Sequence, residues 1–146
     1  MFVVDTNILI YAADRGSRFH ERSRELLEAW RLQPSAWFLT WGIVYEFLRV
    51  TTHPRVLRRP WRLTEALRFV DAVLAAPGLT VLTPTDRHAT VLREVVAELP
   101  ALAGNIIHDA ATAVLMREHG IRQIQTRDAD FHRFRFLEVV DPLSGP

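Results

Sequence analysis

The sequence predicts an α/β fold, a five-stranded parallel sheet flanked by helices, and three observations predict it. Five short segments at residues 2–4, 37–40, 79–82, 123–126 and 137–140 read as strand candidates. Helical patterns fall between them, and strands that alternate with helices pair in parallel. Turn and cap residues mark the boundaries, as Pro77-Gly78 and the Pro100–Gly104 stretch do.

In chain order, the first strand runs directly into Asp5-Thr6-Asn7, three residue types that open helices. Phe19, Leu26, Leu27 and Trp30 mark an amphipathic helix before the second strand, and Ile43, Glu46, Phe47 and Val50 form the core-facing stripe of the helix after it. Leu63, Leu67, Val70, Val73 and Leu74 mark the next helix, which Pro77 and Gly78 stop. A further helix covers residues 85–99. The last covers 106–116 and ends before Gly120; it is apolar on nearly every side and is expected to be buried on most faces. No repeat or Gly/Ser-rich linker divides the chain, so residues 1–146 are expected to form one domain, with 141–146 a loose tail.

Composition narrows the chemistry. No stretch approaches the roughly 20 apolar residues of a membrane span, and none reads as a signal peptide, so a soluble, cytoplasmic protein is expected. With no cysteine, disulfides and thiolate metal sites are excluded, and any metal must be held by oxygen or imidazole. All eighteen basic residues are arginine. Codon composition accounts for that as well as phosphate binding does, but Arg55, Arg58, Arg59 and Arg62 cluster in a segment broken by Pro54 and Pro60, and a planar fork suits phosphate.

Four acids then stand out. Asp5 follows the first strand and Asp128 follows the fourth, and in open α/β sheets ligands bind outside the carboxyl ends of strands where the strand order reverses. Asp5 alone reads equally as a helix cap. Glu46 sits in an otherwise apolar stripe, with either its head in water or its charge turned to a site. Asp109 lies in the most apolar helix, where a buried ion needs a partner, either an arginine or a cation. Four carboxylates in one crevice repel, by roughly 4 kcal/mol per pair about 4 Å apart at an effective dielectric of 20. Divalent Mg²⁺ or Mn²⁺, as one or two ions, compensates such a cluster with hard oxygen ligands and promotes phosphodiester hydrolysis.

The ordered set Val4-Asp5-Thr6-Asn7, Glu46, Asp109 and Thr126-Arg127-Asp128-Ala129-Asp130-Phe131 resembles the PIN-domain family, specifically the VapC-type ribonuclease toxins of toxin–antitoxin pairs. The resemblance implies a sheet of order 3-2-1-4-5, RNA cleavage dependent on Mg²⁺ or Mn²⁺, a homodimer, and inhibition by a cognate antitoxin. It implies that Asp5 and Asp109 are metal ligands, that Glu46 is a ligand or orients water, and that Asp128 serves a second metal or contacts it through water. Asp130 matches the second acid of the closing motif, either as a ligand or, the preferred role, as a bond acceptor for backbone amides before Phe131. Thr6, Asn7 and Thr126 orient the carboxylates or act as caps and turn formers. Arg49 and Arg127 meet phosphate or satisfy a carboxylate. His108 points about 100° away from Asp109 and is expected to be buried or to face a partner rather than to bind metal.

Other α/β enzymes fit less well. A dehalogenase-type phosphatase needs a second aspartate where Asn7 stands, and receiver domains and Walker-type nucleotide hydrolases need a lysine that this chain lacks. The alternative from a different class is a PIN-like module that grips RNA or protein without cutting.

Overall fold

The computed structural model describes residues 1–145. Five strands, β1 (Phe2–Val4), β2 (Trp37–Thr40), β3 (Leu79–Leu82), β4 (Gln123–Gln125) and β5 (Glu138–Val140), form one sheet of order β3-β2-β1-β4-β5. Every neighbouring pair is parallel. Six α-helices connect them: α1 (Thr6–Ala13), α2 (His20–Leu32), α3 (Trp41–Thr52), α4 (Leu63–Leu74), α5 (His88–Glu98) and α6 (Ile106–Glu118), with a short 3-10 helix at Ala129–Arg133. The expected strand order holds. Its consequence is that the chain steps outward from β1 to β3, then crosses back to place β4 against β1, and the order reverses between those two strands.

Parallel strands covered by helices on both faces lose the alternation of half-buried strands. Val3 and Val4 are successive and face opposite ways, yet neither is exposed at all. Trp37, Leu39, Ile124, Phe47, Met116, Phe131 and Phe134 complete the deepest layer. Pro77-Gly78 turns sharply into β3, and glycine is required there because a Cβ on Gly78 would meet the Ser35 carbonyl at 2.5 Å. Gly120, at φ 69°, terminates α6 in the left-handed conformation.

Four boundaries and environments differ from expectation. The helix expected from residue 85 begins at His88, because the Thr85 hydroxyl accepts from the Arg87 amide in a local turn. The two last strands are each one residue shorter than expected. α6 is buried on every side from Thr112 to Met116, as expected, but in its first turn only Ile106 and Ala110 are buried, and Ile107 and His108 are exposed: they lie about 100° and 200° around the turn from Ile106. His108 is therefore not buried. The stretch 141–143 is docked, not loose, since Asp141 pairs with Arg127, its carboxylate accepts from the Leu143 amide, and Leu143 packs on the core. Pro146, the end of the expected tail, lies outside the described residues. No helix among the described residues is long and apolar enough to cross a membrane.

Candidate active site

The reversal point between β1 and β4 is stitched by side chains. Asp5 caps α1: its Oδ1 accepts from the Thr6 amide at 2.8 Å, while its Oδ2 accepts from the Thr126 hydroxyl at 2.7 Å and from Asn7 Nδ2 at 3.0 Å. The Asp5 amide donates to the Gln125 carbonyl at 3.0 Å, which holds the two strand ends level. Thr126 Oγ1 also accepts from Asn7 Nδ2 at 2.9 Å and from the Asp128 amide at 2.9 Å, so its one proton and both lone pairs are used. Asn7 completes the set, its Oδ1 accepting from the Arg127 amide at 3.4 Å. The roles left open for Asp5 and Thr126 are thus compatible: the groups that cap and turn the chain are the groups that orient the Asp5 carboxylate.

Asp5 is 8% exposed, and burial pushes its pKa up to about 6. The bonds from Thr126 and Thr6 oppose that rise, and the charges of Asp128 and Glu46 add to it. Asp109 stands half-buried on the first turn of α6 and is raised to about 7, first by burial, then by Asp128, Asp5, Asp130 and Glu46. It makes no ion pair among the described residues, which removes the arginine alternative. Asp109, Asp128 and Asp130 each offer an oxygen, and the three lie within 4.8 Å of one another.

The hydrogen bonds differ from the backbone-amide role expected of the Asp130 carboxylate. The carboxylate that accepts a backbone amide is that of Asp128, which caps the 3-10 helix by taking the Asp130 amide at 2.9 Å. An Asx turn needs its acceptor two residues before the donor, so the first acid of the motif takes the structural bond and the second is left free for the cluster. The sequence signal was available in the spacing of Asp128 and Asp130 around a turn.

Glu46 lies on the flank of α3, not in its core stripe, with a half-exposed side chain whose Oε1 accepts from Arg49 Nη2 at 2.6 Å. Its charge still reaches Asp5 and Asp109. Arg49 thereby satisfies a carboxylate, and so does Arg127, which pairs with Asp141 at 3.6 Å. Arg55, Arg58, Arg59 and Arg62 are exposed, make no ion pair among the described residues, and are not brought into contact with the acids.

Asp109, Asp128 and Asp130 form a cluster of oxygen donors, Asp5 and Glu46 add their charge to it, and of the five only Glu46 is paired with a cation among the described residues. At about 4.8 Å, two carboxylate charges repel by roughly 3 kcal/mol at an effective dielectric of 20. The donor type, the spacing and the uncompensated charge fit a hard divalent cation.

A family model described as "PIN domain" matches residues 2–137. The chain belongs to the PIN-domain family. Among PIN-domain relatives, ribonuclease VapC43 of Mycobacterium tuberculosis is 35% identical over 145 residues, 99% of this chain and 97% of that one. Ribonuclease VapC48 of the same organism is 32% identical over 141 residues, 97% of each. Solved structures share the fold at lower identity. VapC20 of M. tuberculosis, described as a sarcin-ricin loop cleaving toxin, has a TM-score of 0.66 at 20% identity, covering 95% of this chain and 98% of that one. VapBC2 of Rickettsia felis, bound to a promoter DNA fragment, has a TM-score of 0.64 at 15% identity, covering 95% and 96%.

Proposed function

We propose that this PIN domain is an endoribonuclease, the toxin of a toxin–antitoxin pair, that hydrolyses RNA phosphodiester bonds with Mg²⁺ or Mn²⁺. The observation that carries the reading is the acid crevice at the strand-order reversal, in a chain 35% identical over nearly its whole length to a protein named as a ribonuclease. Asp109, Asp128 and Asp130 are the residues that would hold the ion, with Asp5 beside them and Glu46 at the flank. When bound, the ion supplies charge neutralisation, polarisation of a phosphoryl oxygen and a more acidic water.

The chain's own groups do the rest. Asp5, fixed by three donors, presents one carboxylate geometry and needs no reorganisation when substrate arrives. Asp109 holds its proton up to about pH 7 and must release it before its carboxylate can act as a ligand. Glu46, anchored by Arg49, would serve as a further ligand or orient the attacking water through a hydrogen bond to its carboxylate. The unpaired Arg55, Arg58, Arg59 and Arg62 suit the backbone of a longer RNA or an acidic surface of the antitoxin. A non-catalytic module would gain nothing from a carboxylate as unpartnered and charge-stressed as Asp109. The same reading assigns the protein to the cytoplasm and to a homodimer, which sedimentation would check.

Incubating the purified protein with single-stranded RNA and Mg²⁺ tests the reading. Cleavage that stops in EDTA and is absent from Asp109→Asn is expected; undiminished cleavage in chelator would refute the metal-dependent mechanism.

A further inference from the structure

The loop between α1 and α2 carries two cations on one aromatic ring. The Arg18 guanidinium carbon lies 4.6 Å from the centroid of Phe19, and that of Arg127 lies 4.3 Å from the same centroid. Arg127 belongs to the other end of the chain and directly precedes Asp128 of the acid crevice, while its amide bonds to Asn7, the partner of Asp5. The ring therefore gathers two guanidinium groups beside the candidate active site.

Like charges gathered in this way repel, and little in the protein offsets them. Asp141, at 3.6 Å, pairs with Arg127 alone, and Arg18 makes no ion pair among the described residues. The loop that presents Arg18 is nevertheless ordered by its own bonds: Asp14 Oδ1 accepts from the Gly16 amide, the Asp14 carbonyl accepts from the Ser17 amide, and Ser17 Oγ accepts from the Phe19 amide. Arg15 and His20, which flank the stack in sequence, line an open cleft of ≈ 430 Å³ with Glu21 and Arg24. A guanidinium held over a ring by its carbon still has N–H donors to offer, and a fork of such donors matches the oxygens of a phosphate.

The geometry points to Arg18, Phe19 and Arg127 as a phosphate clamp that takes an RNA backbone phosphate next to the one positioned at the acids. This rests on the reading of the protein as an RNA-cleaving enzyme. A basic clamp beside an acidic crevice also resolves a difficulty of that site, since the carboxylates repel the polyanion they are to cut. Anchoring the neighbouring phosphate holds the strand across the crevice. An acidic protein segment is the other ligand of similar charge; the fork geometry and the continuity with Asp128 favour the nucleic acid.

Binding of a fluorescein-labelled, mixed-sequence single-stranded RNA, followed by anisotropy in EDTA so that no cleavage intervenes, tests the clamp. Arg18→Gln is expected to weaken binding by about tenfold, the loss of one charge-assisted hydrogen bond. It should also lower the slope of log affinity against log salt by about 0.7, the value for one single-strand phosphate. Arg18→Lys should keep the slope and recover part of the affinity. Arg18 is exposed, so these variants should melt as the wild type does. Unchanged affinity and slope in Arg18→Gln would overturn the clamp, as would a variant that loses polyglutamate binding while keeping RNA. If the wild type binds RNA through these residues but does not cut it with Mg²⁺, the nuclease reading falls and the clamp stands; if it binds no RNA, both fall.

Discussion

Replacing Asp109 with asparagine is expected to abolish cleavage and, in the absence of metal, to stabilise the fold. The carboxylate has no hydrogen-bond or ion-pair partner among the described residues, so the substitution breaks nothing and removes a charge that burial and four neighbouring acids oppose. Its pKa rises from 3.8 to about 7. Fully expressed, a shift of that size costs roughly 4 kcal/mol, but the group is half-buried, and screening together with the favourable end of the α6 dipole reduces the expected gain to about 1–2 kcal/mol. The sign follows from proton binding. Between pH 4 and 7 the folded wild type holds more protons than the unfolded chain, so its stability falls as pH rises through that window, and the asparagine variant lacks the fall. The two proteins should therefore melt together near pH 4 and differ by about 2–8 °C above pH 7, with the variant higher. Mg²⁺ should then raise the wild type more than the variant, since stabilisation follows affinity for the folded state. Thermal melts in EDTA from pH 4 to 8, repeated with Mg²⁺, check all of this. A difference that does not change with pH, or a variant less stable at pH 8, would show that Asp109 is not held under electrostatic stress.

Three further outcomes are expected. Asp5→Asn should also lose cleavage but gain little or no stability, because an amide nitrogen would face the Thr6 amide or the Asn7 and Thr126 donors; one such mismatch costs about 1–3 kcal/mol and cancels the charge relief, so a variant several degrees more stable than wild type in EDTA would contradict the network. Thr126→Val keeps the side-chain shape while removing the hydroxyl shared by Asp5, Asn7 and Asp128, and should cost about 1–3 kcal/mol in urea denaturation with a matching loss of turnover; a neutral result would show the hydroxyl to be dispensable. Neutralising Arg58 and Arg59 together should flatten the salt dependence of RNA binding by about 0.7 for each phosphate that is no longer neutralised, and an unchanged slope would return these residues to simple solvation.

The strands were legible as short segments alternating with helical patterns, β1 most clearly because burial on both faces leaves it wholly apolar, and Asp5 and Asp128 were legible because each stands just beyond the end of a strand segment. Strand order was not: which strands become neighbours is set by packing across the whole chain, and the order came from the family resemblance, not from any local pattern. Asp109 declared itself by being charged where its helix offers little polar surface. The errors concern directions that periodicity resolves poorly. Glu46 lies one flank away from the core stripe and pairs with Arg49 three residues on, a spacing readable as a surface pair. The backbone-amide bond expected of Asp130 is made by Asp128 instead, because a turn, not a helix or strand, sets where each points. Residues 141–143 read as a tail because the Asp141–Arg127 pair that docks them joins segments fourteen residues apart, beyond any local pattern.

The bond from Thr126 to Asp5 joins residues 121 apart in sequence. During synthesis β1 leaves the ribosome first, but its place in the sheet is between two strands, one of which is nearly the last to be made. The Thr126 bond to Asp5 cannot form, nor can Asp128 and Asp130 join the group, until that late segment has emerged and closed a loop of this length. A truncated product that stops before β4 therefore lacks Asp128, Asp130 and the hydroxyl that orients Asp5.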